Sequence, residues 1–223
     1  MTLTRETWDQ VKAMNQAEGF YLGPINGESM TRDPKHLLFI LSRYKFAAKI
    51  LRNCQTILEV GCGEGLGLLM LLRETQANLI GLDFDPDQIA YCDQNILPHA
   101  HDRLRLECRD IVTDRVQLYG PDGLLALDVL EHVHPDEQDK FMLNCAWVVR
   151  DGGLAIWGTP NQNAAVYGNS RSKVGHVNLF TPERLVETLS KYYTTVLPFS
   201  MNDEVVHTGY PAMAHYLMAV CIR

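Results

Sequence analysis

The sequence predicts an α/β fold: a doubly wound, mostly parallel seven-stranded sheet with an antiparallel last strand, preceded by a helical cap. Three observations carry this. From residue 56 onward, short apolar runs alternate with amphipathic segments, the pattern of strands buried on both faces and joined by crossover helices. The first run, TILEV (56–60), empties into glycines that open a helix, which makes the arrangement Rossmann-like. The last two runs, TTVLPFS (194–200) and HYLMAVCI (215–222), have no helix between them and so pair antiparallel.

The elements follow in order. Residues 4–18 are weakly amphipathic, and Gly19, Gly23, Pro24 and Gly27 then break the chain. Asp33-Pro34 reads as a helix start, with Asp accepting from first-turn amides and Pro at the position whose N–H has no partner. Leu37, Leu41, Tyr44, Ala48 and Leu51 recur at steps of three and four, the stripe of a packed helix that Asn53 can end. Residues 1–53 are therefore expected as the cap and 54–223 as the α/β body, within one domain. In the body, 65–75 reads as a helix, NLIGLD (78–83) as a strand, and Asp85-Pro86 as a helix start. RLRLEC (103–108) and GLLALD (123–128) are strands. Residues 135–150 form a helix stopped by Asp151-Gly152-Gly153, and LAIWGT (154–159) is a strand. Residues 160–180 lack periodicity, and Thr181-Pro182-Glu183 opens a helix running to about Ser190.

Composition removes several classes. Twenty Lys and Arg against 27 Asp and Glu give −7 over 223 residues, without any basic run. Nucleic acid and membrane surfaces are accordingly not expected as partners. The N-terminus has no apolar secretory core, and no apolar stretch approaches the ~18 residues of a transmembrane helix. Six cysteines without a C-x-x-C fit reduced thiols in the cytoplasm.

The glycine register distinguishes cofactors. The dinucleotide fingerprint G-x-G-x-x-G fails from Gly61, where Leu66 takes the sixth place, and from Gly63, where Leu68 does. What stands there is Glu59-x-Gly61-x-Gly63-x-Gly65. This pattern resembles the first motif of the class I S-adenosylmethionine-dependent methyltransferases, small-molecule type, over most of residues 54–223. The resemblance implies S-adenosyl-L-methionine as cofactor and S-adenosyl-L-homocysteine as product. It implies that Glu59, Gly61, Cys62, Gly63 and Gly65 form the cofactor loop. Asp83, with Phe84 after it, takes the ribose position, Asp110 and Ile111 the adenine position, and Asp128 the fourth-strand signature. A carboxylate at the ribose position can accept from both hydroxyls.

In an open α/β sheet, ligands bind beyond the carboxyl ends of the strands. Residues 129–135, 160–180 and 201–213 are expected there, bringing Glu131, His132, His134, Asn161, Tyr167, Lys173, His176, Asn178, Asp203, Glu204, His207 and Tyr210 to one mouth. A hydroxyl nucleophile needs its proton removed, so His176, His207 and then His132 are the candidate general bases. Asp128-x-x-Glu131-His132 is also similar to the E-x-x-E-H segment of ubiquinone-type O-methyltransferases, some of which bind a divalent cation. Asp stands in place of the first Glu, and helix start and mouth lining is the preferred reading. No metal ligand is assigned. The chain ends resemble a bacterial methyltransferase group associated with surface-glycan clusters. The expected acceptor is a small molecule, a sugar or nucleotide-sugar hydroxyl, with a quinone or phenol, or a non-catalytic binding module, as alternatives. Trp8, Phe20 and Tyr21 are candidates to line the acceptor pocket or simply to pack. A homodimer is compatible with the sequence but has no specific support in it.

Overall fold

A computed structural model describes residues 2–14, 19–114, 120–168 and 170–223. Three helices come first: α1 (Leu3–Met14), α2 (Gly23–Arg32) and α3 (Pro34–Ile50). Strands and helices then alternate as β1 (Thr56–Val60), α4 (Leu66–Glu74), β2 (Asn78–Asp83), α5 (Pro86–Asn95), β3 (Leu104–Cys108), β4 (Gly123–Leu127), α6 (Gln138–Val148) and β5 (Leu154–Pro160). Helices α7 (Ser170–Gly175) and α8 (Pro182–Leu189) lead to β6 (Thr195–Asn202), β7 (Val205–His207) and β8 (Tyr216–Ile222).

Among the described residues the strands form one sheet in the order β3-β2-β1-β4-β5-β8-β6-β7. Strands β1 to β5 are parallel, and β8 runs antiparallel between β5 and β6. The sheet therefore has eight strands, not seven. The extra one is β7, which folds back on β6 through Asp203-Glu204, with Asp203 left-handed at φ 48°. The segment 201–213 thus contains a hairpin, because the β-branched Val205 and Val206 pair with Asn202 and Met201 before the chain leaves the sheet edge.

Both sheet faces are covered, and strand alternation assigns the residues. Leu58, Val60, Leu124 and Ala126 face a core with Phe141, Met142, Trp157, Leu185 and Leu189 from the α6/α8 side. Ile57, Leu125 and Leu127 face the opposite core, with Ala47, Ala48, Leu51, Leu68, Leu71 and Cys92 from α3, α4 and α5. This explains the continuous apolar runs: neither face is left to solvent.

Two of the expected helix starts differ physically. Asp85 caps α5, accepting from the Asp87 N–H at 2.9 Å. Asp33 precedes α3 but makes no side-chain cap bond; its carboxylate lies 3.8 Å from Lys35 instead. Helix α6 begins at Gln138 rather than 135, after a turn over 135–137. Of the helix expected over 4–18, residues 15–18 lie outside the described residues. No helix among the described residues is long and apolar enough to cross a membrane.

Candidate active site

The strand order reverses between β1 and β4, and the glycine loop sits at that switch point. Gly61, Gly63 and Gly65 all have positive φ, at 71°, 50° and 72°. Their reasons differ. A Cβ on Gly61 would lie 2.4 Å from Val129 Cγ2, and one on Gly65 2.8 Å from Cys92 Sγ, so both are packed against the body. A Cβ on Gly63 would meet nothing within 4 Å. Gly63 keeps its backbone bare toward open space, which is where a ligand approaches.

The neighbouring carboxylates hold this loop. Asp83, at the end of β2 and 7% exposed, accepts from Gly63 N–H at 2.9 Å and Asp85 N–H at 3.0 Å. Two oxygens with two lone pairs each leave it able to accept from ribose hydroxyls as well. Phe84 beside it is largely exposed, a flat face free to cover a base. Asp110 accepts from Val112 N–H at 2.8 Å and keeps its other oxygen. Ile111 is buried in the core, so its side chain serves packing. Cys62 also turns inward: its thiol lies against Cys92, and that hydrogen bond, followed by burial, raises its pKa strongly. What Cys62 offers the loop is its backbone.

Glu59 is 2% exposed, and burial pushes its carboxyl up to about 8. It hydrogen-bonds Tyr44 of α3, while its Oε2 has no hydrogen-bond partner among the described residues. Gly67 makes this possible, since a Cβ there would meet Tyr44 Cε1 at 2.1 Å and Glu59 Oε1 at 2.4 Å. An orphaned carboxyl oxygen, an open glycine cradle and a spare-capacity Asp83 fit the amino-acid, backbone-facing and ribose portions of the expected cofactor.

The other half of the mouth is built from side chains that the sequence spacing does not announce. Asp128 follows β4 in a left-handed turn, φ 55°. Its carboxylate takes Arg43 Nη1 at 2.7 Å, and its N–H donates to Gly158 O and to the Tyr216 hydroxyl. The Arg43 guanidinium is 3.6 Å from the Tyr216 ring centroid. Arg43 is 4% exposed, on the buried stripe of a helix read for its apolar residues. Its length, spanning α3 to β4, was invisible to that periodicity. Asp128, expected at the cofactor, gives one oxygen to this pair and keeps its side chain 38% exposed.

Glu131, His132 and His176 converge: one ligand atom from each lies within 4.8 Å of the others. Glu131 is fully buried, its Oε2 accepts from Thr159 at 3.0 Å, and its Oε1 has no partner among the described residues. Burial, then the Asp128 charge, pushes its carboxyl up to about 8. His132 Nδ1 lies 2.9 Å from the Gly175 carbonyl, which can only accept, so Nδ1 carries a hydrogen and Nε2 is the ring nitrogen turned from that bond. His176 stacks edge-on to His132, ring centroids 5.1 Å apart. Burial, then His132, lowers its pKa. Two imidazoles and a carboxylate are donors suited to a divalent transition cation. The folded chain brings His176, rather than Asp128, to Glu131 and His132, while Asp128 pairs with Arg43.

His207 sits apart in bonding terms. Its Nδ1 accepts from Gly209 N–H at 3.2 Å, and its Nε2 is 3.0 Å from Asn202 Oδ1. Both ring nitrogens are engaged, leaving no free lone pair. Several polar residues expected at the mouth hold the fold instead. Asn161, fully buried, donates to the Pro211 and Ala214 carbonyls, and Asn178 pairs with Gln138 and Arg184. Phe20 lies against His99 and the Tyr21 ring against Tyr91, so both pack toward α5.

Comparison with known proteins gives the following. Residues 57–153 match a family described as a methyltransferase domain. The tRNA N(3)-cytidine methyltransferase METTL6 of Mus musculus is 31% identical over 139 residues, 56% of this chain and 49% of that protein. The ubiquinone biosynthesis O-methyltransferase of Coxiella burnetii is 29% identical over 136 residues, 60% of this chain and 56% of that protein. The chain thus spans about half the length of the curated relatives it matches. Among solved structures, the methyltransferase domain of bacterial CtHen1 superposes with a TM-score of 0.66 at 21% identity, covering 82% of this chain and 98% of that one. The tRNA methyltransferase relative overturns the exclusion of nucleic acid as a partner. Net charge sums the whole surface, whereas an acceptor needs only a local fit at the mouth, so −7 decides nothing about it.

Proposed function

Because the chain carries a class I S-adenosylmethionine-dependent methyltransferase domain, we propose that it methylates a hydroxyl, most favourably on a polyhydroxylated small molecule such as a sugar or nucleotide-sugar. The carrying observation is the His132–His176 pair, with rings 5.1 Å apart, burial lowering the pKa of His176 and His132 bonded through Nδ1 to the Gly175 carbonyl. Asp128, half-exposed on the acceptor side and paired with Arg43, supports a polar acceptor over a greasy one. Six free thiols suit the cytoplasm.

Bound S-adenosylmethionine supplies an electrophilic methyl group on its sulfonium. The residues of the chain supply position and proton transfer. Asp83 and the bare Gly63 backbone would hold the nucleoside end, and the unpartnered Glu59 Oε2 would meet the amino-acid end. The acceptor's hydroxyl proton passes to an imidazole of the His132–His176 pair, a role worth roughly 10²–10⁴-fold in rate. Helix α3 contributes Arg43 and Tyr44 to the floor of the mouth.

A second reading, a quinol or phenol acceptor oriented by a divalent cation on Glu131, His132 and His176, is favoured by that cluster and by the Coxiella relative's name. The test offers labelled cofactor with nucleotide-sugars, catechols and tRNA in parallel, with and without EDTA. Metal-independent label in the sugars supports the first reading. EDTA-sensitive label in catechols supports the second, and label in tRNA alone rejects both. His176→Ala should lower turnover about 100-fold, some 2.7 kcal/mol of barrier, with S-adenosylhomocysteine affinity unchanged. A loss under threefold would remove His176 as base.

A further inference from the structure

Glu64 lies inside the glycine loop, between Gly63 and Gly65, yet its carboxylate points away from the loop. It is 5% exposed. Its Oε1 accepts from Ile25 N–H at 2.7 Å, and its Oε2 accepts from Asn26 N–H at 2.8 Å and Asn26 Nδ2 at 2.7 Å. Both backbone donors belong to the first turn of α2, a helix whose own N-cap, Leu22, makes no side-chain cap bond. Glu64 therefore caps α2 from 38 residues away and matches the positive end of its dipole. Gly23 is shaped for this contact: its φ is 85°, and a Cβ would sit 2.5 Å from the Glu64 carboxyl carbon. The same stretch is tied to α5, where the Tyr91 hydroxyl donates to the Tyr21 carbonyl.

We propose that Glu64 is a positioning residue that makes cofactor binding and the docking of α2 one event. This rests on the methyltransferase reading above. If α2 undocks, Glu64 loses all three donors that hold its carboxylate, and the loop segment that carries it is released to move. That movement displaces Gly63, whose N–H is pinned to Asp83. A ligand that fixes the loop therefore fixes α2, and by linkage docked α2 raises the loop's affinity by the same factor. Glu64 is thus a cofactor-affinity determinant that touches no cofactor.

The test uses the whole chain and S-adenosylhomocysteine. Amide exchange at Ile25 and Asn26 should slow at least tenfold when it binds. Glu64→Gln, which keeps the shape but faces the donors with an NH₂, should weaken its binding at least fivefold and remove that slowing. Glu64→Asp should restore part of both. Gly23→Ala, outside the loop, should reproduce the loss, and it stands in if Glu64→Gln does not fold. Bound ligand with unchanged exchange at both amides would overturn the coupling and leave the methyltransferase reading intact. Wild-type affinity in Glu64→Gln would do the same. A wild-type chain that binds no S-adenosylhomocysteine would overturn both.

Discussion

The two halves of the mouth are made in different ways. The half proposed for the cofactor, after β1 to β3, is mostly backbone: three left-handed glycines and amides directed by Asp83 and Asp110. The half proposed for the acceptor, after β4 and β5 and under α3, is mostly side chain: Arg43, Asp128, Glu131, His132, His176 and Tyr216 converge from distant segments. A backbone site tolerates no Cβ but needs few particular side chains. A convergent site depends on packing that brings each group to its place, and it can be re-aimed without disturbing the loop.

The largest expected effect breaks the backbone half. Gly61→Ala adds a Cβ against Val129 in a left-handed residue, so denaturant unfolding should show a loss of about 2–4 kcal/mol. Gly63→Ala meets only open space and should cost about 1 kcal/mol from its φ alone, yet still lose S-adenosylhomocysteine binding by tenfold or more in calorimetry. Equal stability losses in the two variants would erase the distinction between a packed and a ligand-facing glycine.

A smaller effect sharpens the acceptor half. Arg43→Met fills the volume and leaves Asp128 unpaired. The Asp128 side chain is 38% exposed, so solvent compensates it, and the loss should be about 1–2 kcal/mol rather than that of a fully buried pair. Cofactor affinity should hold within threefold while turnover falls. Parallel losses of both would mean that the halves are not separable.

The last is a pH slope, spread over several units. The Glu59 carboxyl is raised from 4.5 to about 8 by burial. Its contribution to stability is complete below about 4.5 and is lost as pH rises through about 8. Between those values the folded chain holds the extra proton, so stability should fall with rising pH, by up to about 1.4 kcal/mol per unit from this group. Glu59→Gln should flatten that part of the profile in urea melts at pH 5 to 8. An unchanged slope would place a charged Glu59 in the folded state.

Legibility followed the same division. The glycine register, Asp83 at the end of β2 and the Asp85 cap are local, since each depends on φ preferences or a bond across two residues. Periodicity placed Arg43 on the buried side of α3 only in retrospect, because a long cation on an apolar stripe reads as a boundary rather than a partner. Polar loop composition pointed to His132 and His176, but equally to Asn161, Asn178 and His207, whose hydrogen bonds hold turns in place. The short strand β7 was missed because three residues carry too little pattern to oppose the turn signals around them.

The sequence by itself determined the crossover topology, the antiparallel finish and the cofactor loop, because backbone sterics and strand alternation act over a few residues. Only the tertiary structure decided which polar groups meet. Arg43 finds Asp128 across 85 residues, Glu64 finds α2 across 38, and His132 finds His176. Each meeting is set by how helices seat on a sheet, and packing geometry of that range is not written in any single segment.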